Sequence, residues 1–128
     1  MGQIARDQII TKWNRMTPRE RDAWVAEVVF GWKTLGDGRV RSSDGFMIRA
    51  IPEYTTDISA AWAIVEESAR WGGMEIGCYA SRSSRWHCVS TQTDTAPYQR
   101  RVSVTKDSAP EAIGLAAIIA KLVTEVAA

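Results

Sequence analysis

Ser108-Ala109-Pro110-Glu111 opens the most tightly specified segment of this chain. A serine is placed to cap a helix, a proline fills the first turn where no donor is needed, and a glutamate follows three residues after the serine. Leu115, Ile118, Ile119, Leu122 and Val126 then form a wide apolar face. Such a helix holds its shape in water only when other elements cover that face. The remaining chain must supply the cover.

Thr17-Pro18-Arg19-Glu20 repeats the capping logic, and Trp24, Val25, Val28, Val29 and Trp32 continue as a helical stripe to about Trp32. Gly36-Asp37-Gly38 stops that helix. Ile4, Ile9 and Trp13 suggest a short helix or arm over residues 1–16, ahead of a single domain spanning 17–128. Residues 39–51 read as one or two short strands around Ser42-Ser43-Asp44-Gly45, with Phe46, Ile48 and Ala50 alternating toward a core. A further helix starts near Thr56, carries Ile58, Ala61, Trp62, Val65 and Ala69 on one face, and ends at Gly72-Gly73. Trp62 belongs to the core on this reading.

Three strands follow, at about 74–80, 85–92 and 98–105, joined by loops at 81–84 and 93–97. Either Trp86 and Cys88 or His87 and Val89 face inward. The order of elements gives an α+β architecture with a mainly antiparallel sheet packed by helices. Helices on opposite faces would make a sandwich whose strands accept apolar residues on both sides.

The 128 residues suit one domain, and the net charge of +1 argues against wholesale attraction to duplex nucleic acid. No run approaches the roughly 18–20 apolar residues needed to span a bilayer. Arg6, Asp7 and Lys12 break any secretory-signal pattern, so a cytoplasmic protein is expected. Its two cysteines would then stay reduced.

Three segments resemble the phage ABA sandwich domain, a family of small bacteriophage and prophage proteins. They are Val25-Ala26-Glu27-Val28-Val29-Phe30-Gly31-Trp32-Lys33, Pro52 through Glu66 with its Tyr54-Thr55-Thr56-Asp57 helix start, and Ser108-Ala109-Pro110-Glu111-Ala112-Ile113 through Ala120. The resemblance implies a phage origin, a three-layer α-β-α sandwich and residence in the host bacterial cytoplasm. The chain departs from the family pattern in a longer extension before Thr17, in Gly114 where members often carry cysteine, and in a long Arg/Ser-rich hairpin.

Catalytic chemistry has little support. The single histidine, His87, neighbours Cys88 on a strand, where adjacent side chains point opposite ways. Cys78 lies opposite His87 if the connecting loop is even, or shares a face with Cys88 if it is odd. Cys78, His87 and Cys88 make a poor metal set without a fourth ligand. Asp57 reads as a helix cap rather than a base. No cofactor is implied.

A binding site for a small nucleotide-type ligand, such as a cyclic nucleotide or an ADP-ribose derivative, fits the residues better. Tyr54, Trp32 and Trp86 offer stacking faces, and Thr55, Thr56 and Asp57 could hold ribose hydroxyls. Arg82, Arg85 or Lys33 could neutralise phosphate, and Ser108 marks a helix N-terminus that favours anions. The expected function is therefore a non-catalytic phage accessory protein that sequesters a host immune signal, working as a homodimer or larger homo-oligomer. Two other readings stay open. One is a protein interaction module, and the other is a single-stranded nucleic-acid binder using the Arg-rich hairpin with Trp86 and Tyr98.

Overall fold

A computed structural model describes residues 6–79, 85–92 and 100–123. Four helices, α1 (Arg6–Arg15), α2 (Pro18–Phe30), α3 (Ile58–Ser68) and α4 (Ala109–Leu122), combine with six strands. The strands are β1 (Lys33–Thr34), β2 (Arg39–Arg41), β3 (Ile48–Ala50), β4 (Met74–Tyr79), β5 (Arg85–Gln92) and β6 (Arg100–Lys106). This is the α+β sandwich the sequence implies, with every strand pairing antiparallel. The strands divide between two sheets, ordered β1-β2-β3 and β4-β5-β6.

α4 sits at the centre. It packs against α1, α2, α3, β5 and β6. From Ala109 to Ala120 every residue except Glu111 is buried, so the helix is apolar almost all round, as a fully enclosed helix must be. Its N-terminus joins several elements. Ser108 accepts a hydrogen bond from the Glu111 N–H (3.3 Å), but the Glu111 carboxylate does not close a capping box. It turns instead to α1 and α2, accepting from Trp13 Nε1 at 3.0 Å and lying 3.4 Å from Arg21 and 3.7 Å from Lys106. α1 is thereby tied to the centre, with Ile9 and Trp13 fully buried.

The capping box at Thr17 is complete: its hydroxyl accepts from the Glu20 N–H, and the Glu20 carboxylate accepts from the Thr17 N–H. α2 ends earlier than the apolar stripe suggests. Gly31 takes the left-handed conformation (φ 70°) and closes the helix at Phe30, ahead of the Gly36–Gly38 turn.

Sheet register resolves which residues face inward. Ile76 pairs with Cys88 and Cys88 with Val104, while Met74 pairs with Ser90 and Ser90 with Val102. This face packs on α4. The opposite face carries Glu75, Arg101, Ser103 and Thr105, all exposed, around the buried Val89. The loops at 81–84 and 93–97 lie outside the described residues.

The hairpin at 39–51 corrects one expectation. Phe46 is 89 % exposed, and Met47, Ile48 and Ala50 are exposed as well; only Val40 of the hairpin strands is buried. Alternation in so short a hairpin marked pleat geometry, not burial, because no layer covers that face.

Candidate functional site

The segment from Pro52 to Asp57 is a tight turn anchored to α2, and its anchors are two of the residues expected to bind ligand. The Tyr54 ring stacks on Phe30, centroids 5.2 Å apart and planes 18° apart, and is buried. Burial raises its phenol pKa above the usual range, chiefly by desolvation. The Thr55 hydroxyl and N–H both donate to Asp22, at 2.8 and 2.9 Å. Tyr54 and Thr55 therefore hold the turn in place and present nothing to an open site. Thr56 is exposed, and Asp57 caps α3, accepting from the Ser59 N–H at 3.0 Å.

This anchoring fixes where α3 starts and so which way its first turns face. Ala61 and Ile64 turn inward, within reach of α4. Ile58 and Trp62 turn outward, one turn apart, with Trp62 52 % exposed. Trp62 is thus corrected from core to surface. Two apolar stripes share α3, and the small one, led by Ala61, allows the closer approach to α4.

Trp62 lines a cavity of about 720 Å3. Ile58, Trp62 and Val65 of α3 form one wall, Met74 and Ile76 of β4 with Trp86 of β5 form another, and Asp107 through Pro110 close the end. Volume and composition suit a small organic ligand: mostly apolar, with a few polar groups at one end. Trp86 is half-buried, so a face remains available for stacking.

The polar end sets one carboxylate against one guanidinium. Asp107 is exposed, and Arg85 Nε lies 4.0 Å from its carboxylate. Ser108 spends its hydroxyl on Glu111 N–H, and Pro110 has no N–H to offer. The α4 N-terminus is consequently a weak phosphate seat, and Arg85 is the cation at this end of the cavity.

Of the residues expected from sequence, the structure brings Trp86 and Ser108 together at this cavity, with Arg85 at its edge. Trp32 and Lys33 lie elsewhere, beside the small sheet, where Arg49 stacks over the Trp32 ring at 5.8 Å. Arg82 and Tyr98 lie outside the described residues. Ile58, Trp62, Met74, Ile76 and Asp107 were missed as site residues. A signal for Trp62 was present: an aromatic on a helix whose alanines already supply a packing face is surplus to the core.

Strand register also separates the candidate nucleophiles. Cys78 lies opposite Trp86 and Gly77 opposite His87. His87 therefore faces away from both cysteines, while Cys78 and Cys88 share a face without a disulfide between them. Burial pushes the Cys88 thiol up to about 12, far from a reactive thiolate.

The model of the phage ABA sandwich domain matches residues 23–118 of the chain. No curated protein and no solved structure matches it.

Proposed function

The chain belongs to the phage ABA sandwich domain family, and on that premise we propose that it is a non-catalytic accessory protein holding a small nucleotide-type ligand between Trp62 and Trp86. The carrying observation is the half-exposed indole of Trp62 on the same cavity as the half-buried indole of Trp86. An exposed tryptophan on a cavity wall keeps its large planar surface free for a ring. Stacking on such side chains is worth roughly 1–3 kcal/mol per base.

Asp107 supplies an acceptor for an exocyclic amine or a ribose hydroxyl, and Arg85 supplies one positive charge for a phosphate. One cation suits a mononucleotide or a cyclic nucleotide better than a polyphosphate. Binding without turnover fits a chain whose one histidine faces the opposite side of the sheet from the cavity walls Ile76 and Trp86. In a phage protein, tight retention without cleavage would remove a host signalling nucleotide from circulation.

The test is a melting-temperature screen of the purified chain against cyclic mononucleotides, cyclic dinucleotides and ADP-ribose derivatives. A ligand at a hundredfold excess over its dissociation constant stabilises the fold by about 2.7 kcal/mol. Recovery of the intact ligand after heating distinguishes sequestration from cleavage. A panel in which no compound shifts the melting temperature overturns the reading.

A further inference from the structure

The outer face of the small sheet breaks a pairing rule. Lys33 of β1 lies directly opposite Arg41 of β2, and Arg41 directly opposite Ile48 of β3, so two cations share one row. Both are exposed, and among the described residues neither has an ion-pair partner. Like charges set opposite each other on neighbouring strands destabilise the pair. Local rules broken in a native fold are expected at functional sites. The other two arginines of the sheet are already engaged. Arg39 pairs with Asp37 at 2.7 Å, and Arg49 lies over the Trp32 ring on the face it shares with the buried Val40.

Apolar groups continue the outer face. Ile48 completes the row of Lys33 and Arg41, and Ala50 lies opposite Arg39 in the next. Phe46, two residues before Ile48, extends the line at the turn with its side chain 89 % exposed. The turn is held by its own bonds, since Asp44 accepts from the Phe46 N–H at 3.0 Å and from the Ser42 hydroxyl. We propose that this face binds single-stranded nucleic acid: a backbone phosphate seats between Lys33 and Arg41, and a base lies on Phe46. Free cations beside an aromatic plane are the two elements such sites combine, charge for the backbone and a ring for the base. A duplex offers phosphates but keeps its bases stacked inside. A membrane taking up the Phe46-Met47 tip would also meet the exposed Asp44 carboxylate, which anionic lipids repel. The face shares no residue with the cavity, so this reading and the ligand reading stand or fall separately.

Fluorescence anisotropy of the full chain with a labelled twelve-nucleotide oligothymidine at about 50 mM salt tests the proposal, with oligouridine as the RNA arm. Binding of either strand supports it, and the tighter of the two tells DNA from RNA. Affinity is expected to fall with added salt, by about 0.7 in the log–log slope for each phosphate contacted. The double variant Lys33→Ala/Arg41→Ala should bind more weakly and lose about 0.7 from that slope. Phe46→Ser should weaken binding roughly 5- to 150-fold with the slope unchanged, and Phe46→Trp should keep it. All three positions are exposed, so circular dichroism should not change. Absence of binding at this salt, equal affinity for a duplex of the same length, or a double variant of wild-type affinity would each overturn the proposal. So would displacement by polyglutamate as effective as by unlabelled oligonucleotide, or capture by phosphatidylserine vesicles when neither oligonucleotide binds.

Discussion

Asp22 of α2 accepts two hydrogen bonds from Thr55, one from its N–H at 2.9 Å and one from its hydroxyl at 2.8 Å, and both residues are buried. One carboxylate oxygen thus pins the turn that launches α3 and, through α3, the Trp62 wall of the cavity. Asp22→Ala leaves the buried Thr55 N–H without an acceptor and its hydroxyl with only the long contact to the Pro18 carbonyl (3.5 Å), and is expected to cost about 1–3 kcal/mol, read from urea melts. Asp22→Asn keeps an acceptor oxygen and should cost much less.

The same pair predicts a pH dependence. Burial holds the Asp22 carboxyl above its usual range, although its bonds from Thr55 pull the other way. The folded state then binds this proton more tightly than the unfolded chain, whose value is about 3.9. Its stabilising contribution is complete below that value and is lost as pH rises through the higher, folded one. The stability of wild type minus Asp22→Asn should accordingly fall with rising pH across that window. A difference that stays flat or rises would contradict the assignment.

Gly114 and Trp13 carry a second prediction. A Cβ on Gly114 would stand 3.1 Å from Trp13 Cη2 and 3.4 Å from the Thr55 methyl. Trp13 cannot easily yield, since it is fully buried and its Nε1 is held by Glu111. The segment ahead of Thr17 and this glycine therefore meet at one contact. Gly114→Ala should destabilise the wild type by about 1–3 kcal/mol through overpacking, despite better helix propensity. In a Trp13→Phe background the ring atom is gone, and the same substitution should become neutral or stabilising by up to about 1 kcal/mol. Equal effects in the two backgrounds would deny the coupling.

The thiols should behave unequally. Cys88 is buried with its pKa pushed up to about 12, whereas Cys78 is exposed. Iodoacetamide at pH 8 is expected to label Cys78 alone in the folded protein and both cysteines in urea, as read by peptide mass spectrometry. Labelling of Cys88 without denaturant would show that the β4–β5–β6 sheet opens locally.

Helix starts were legible because caps are local chemistry: Thr17, Asp57 and Ser108 each sit at an N-cap. The central place of α4 was also in reach, since a segment rich in Ala112, Ala116, Ala117 and Ala120 between larger apolar residues has no polar face. What the sequence could not rank were competing uses of one residue type. Tyr54 and Trp62 both read as aromatic residues at a helix start. Which is buried depends on Phe30, 24 positions from Tyr54, and on how closely α3 approaches α4. The exposure of Phe46 was hidden for a similar reason, because alternation reports the two faces of a strand and not whether anything covers either one.

That exchange between Tyr54 and Trp62 gives the sharpest test of the site. Tyr54→Leu removes the stack on Phe30 from a buried position and should lower stability by about 1–3 kcal/mol while leaving the ligand-contacting walls chemically intact. Trp62→Ala removes a half-exposed side chain and should change stability by about 0.5 kcal/mol or less. If a ring stacks on Trp62, the same change should weaken the tightest nucleotide of the screen by about 1–3 kcal/mol, a loss of roughly 5- to 150-fold in dissociation constant. Calorimetric titration of both variants separates the roles: affinity should follow Trp62 and melting temperature should follow Tyr54. The reverse pattern would return the site to the Tyr54–Asp57 turn.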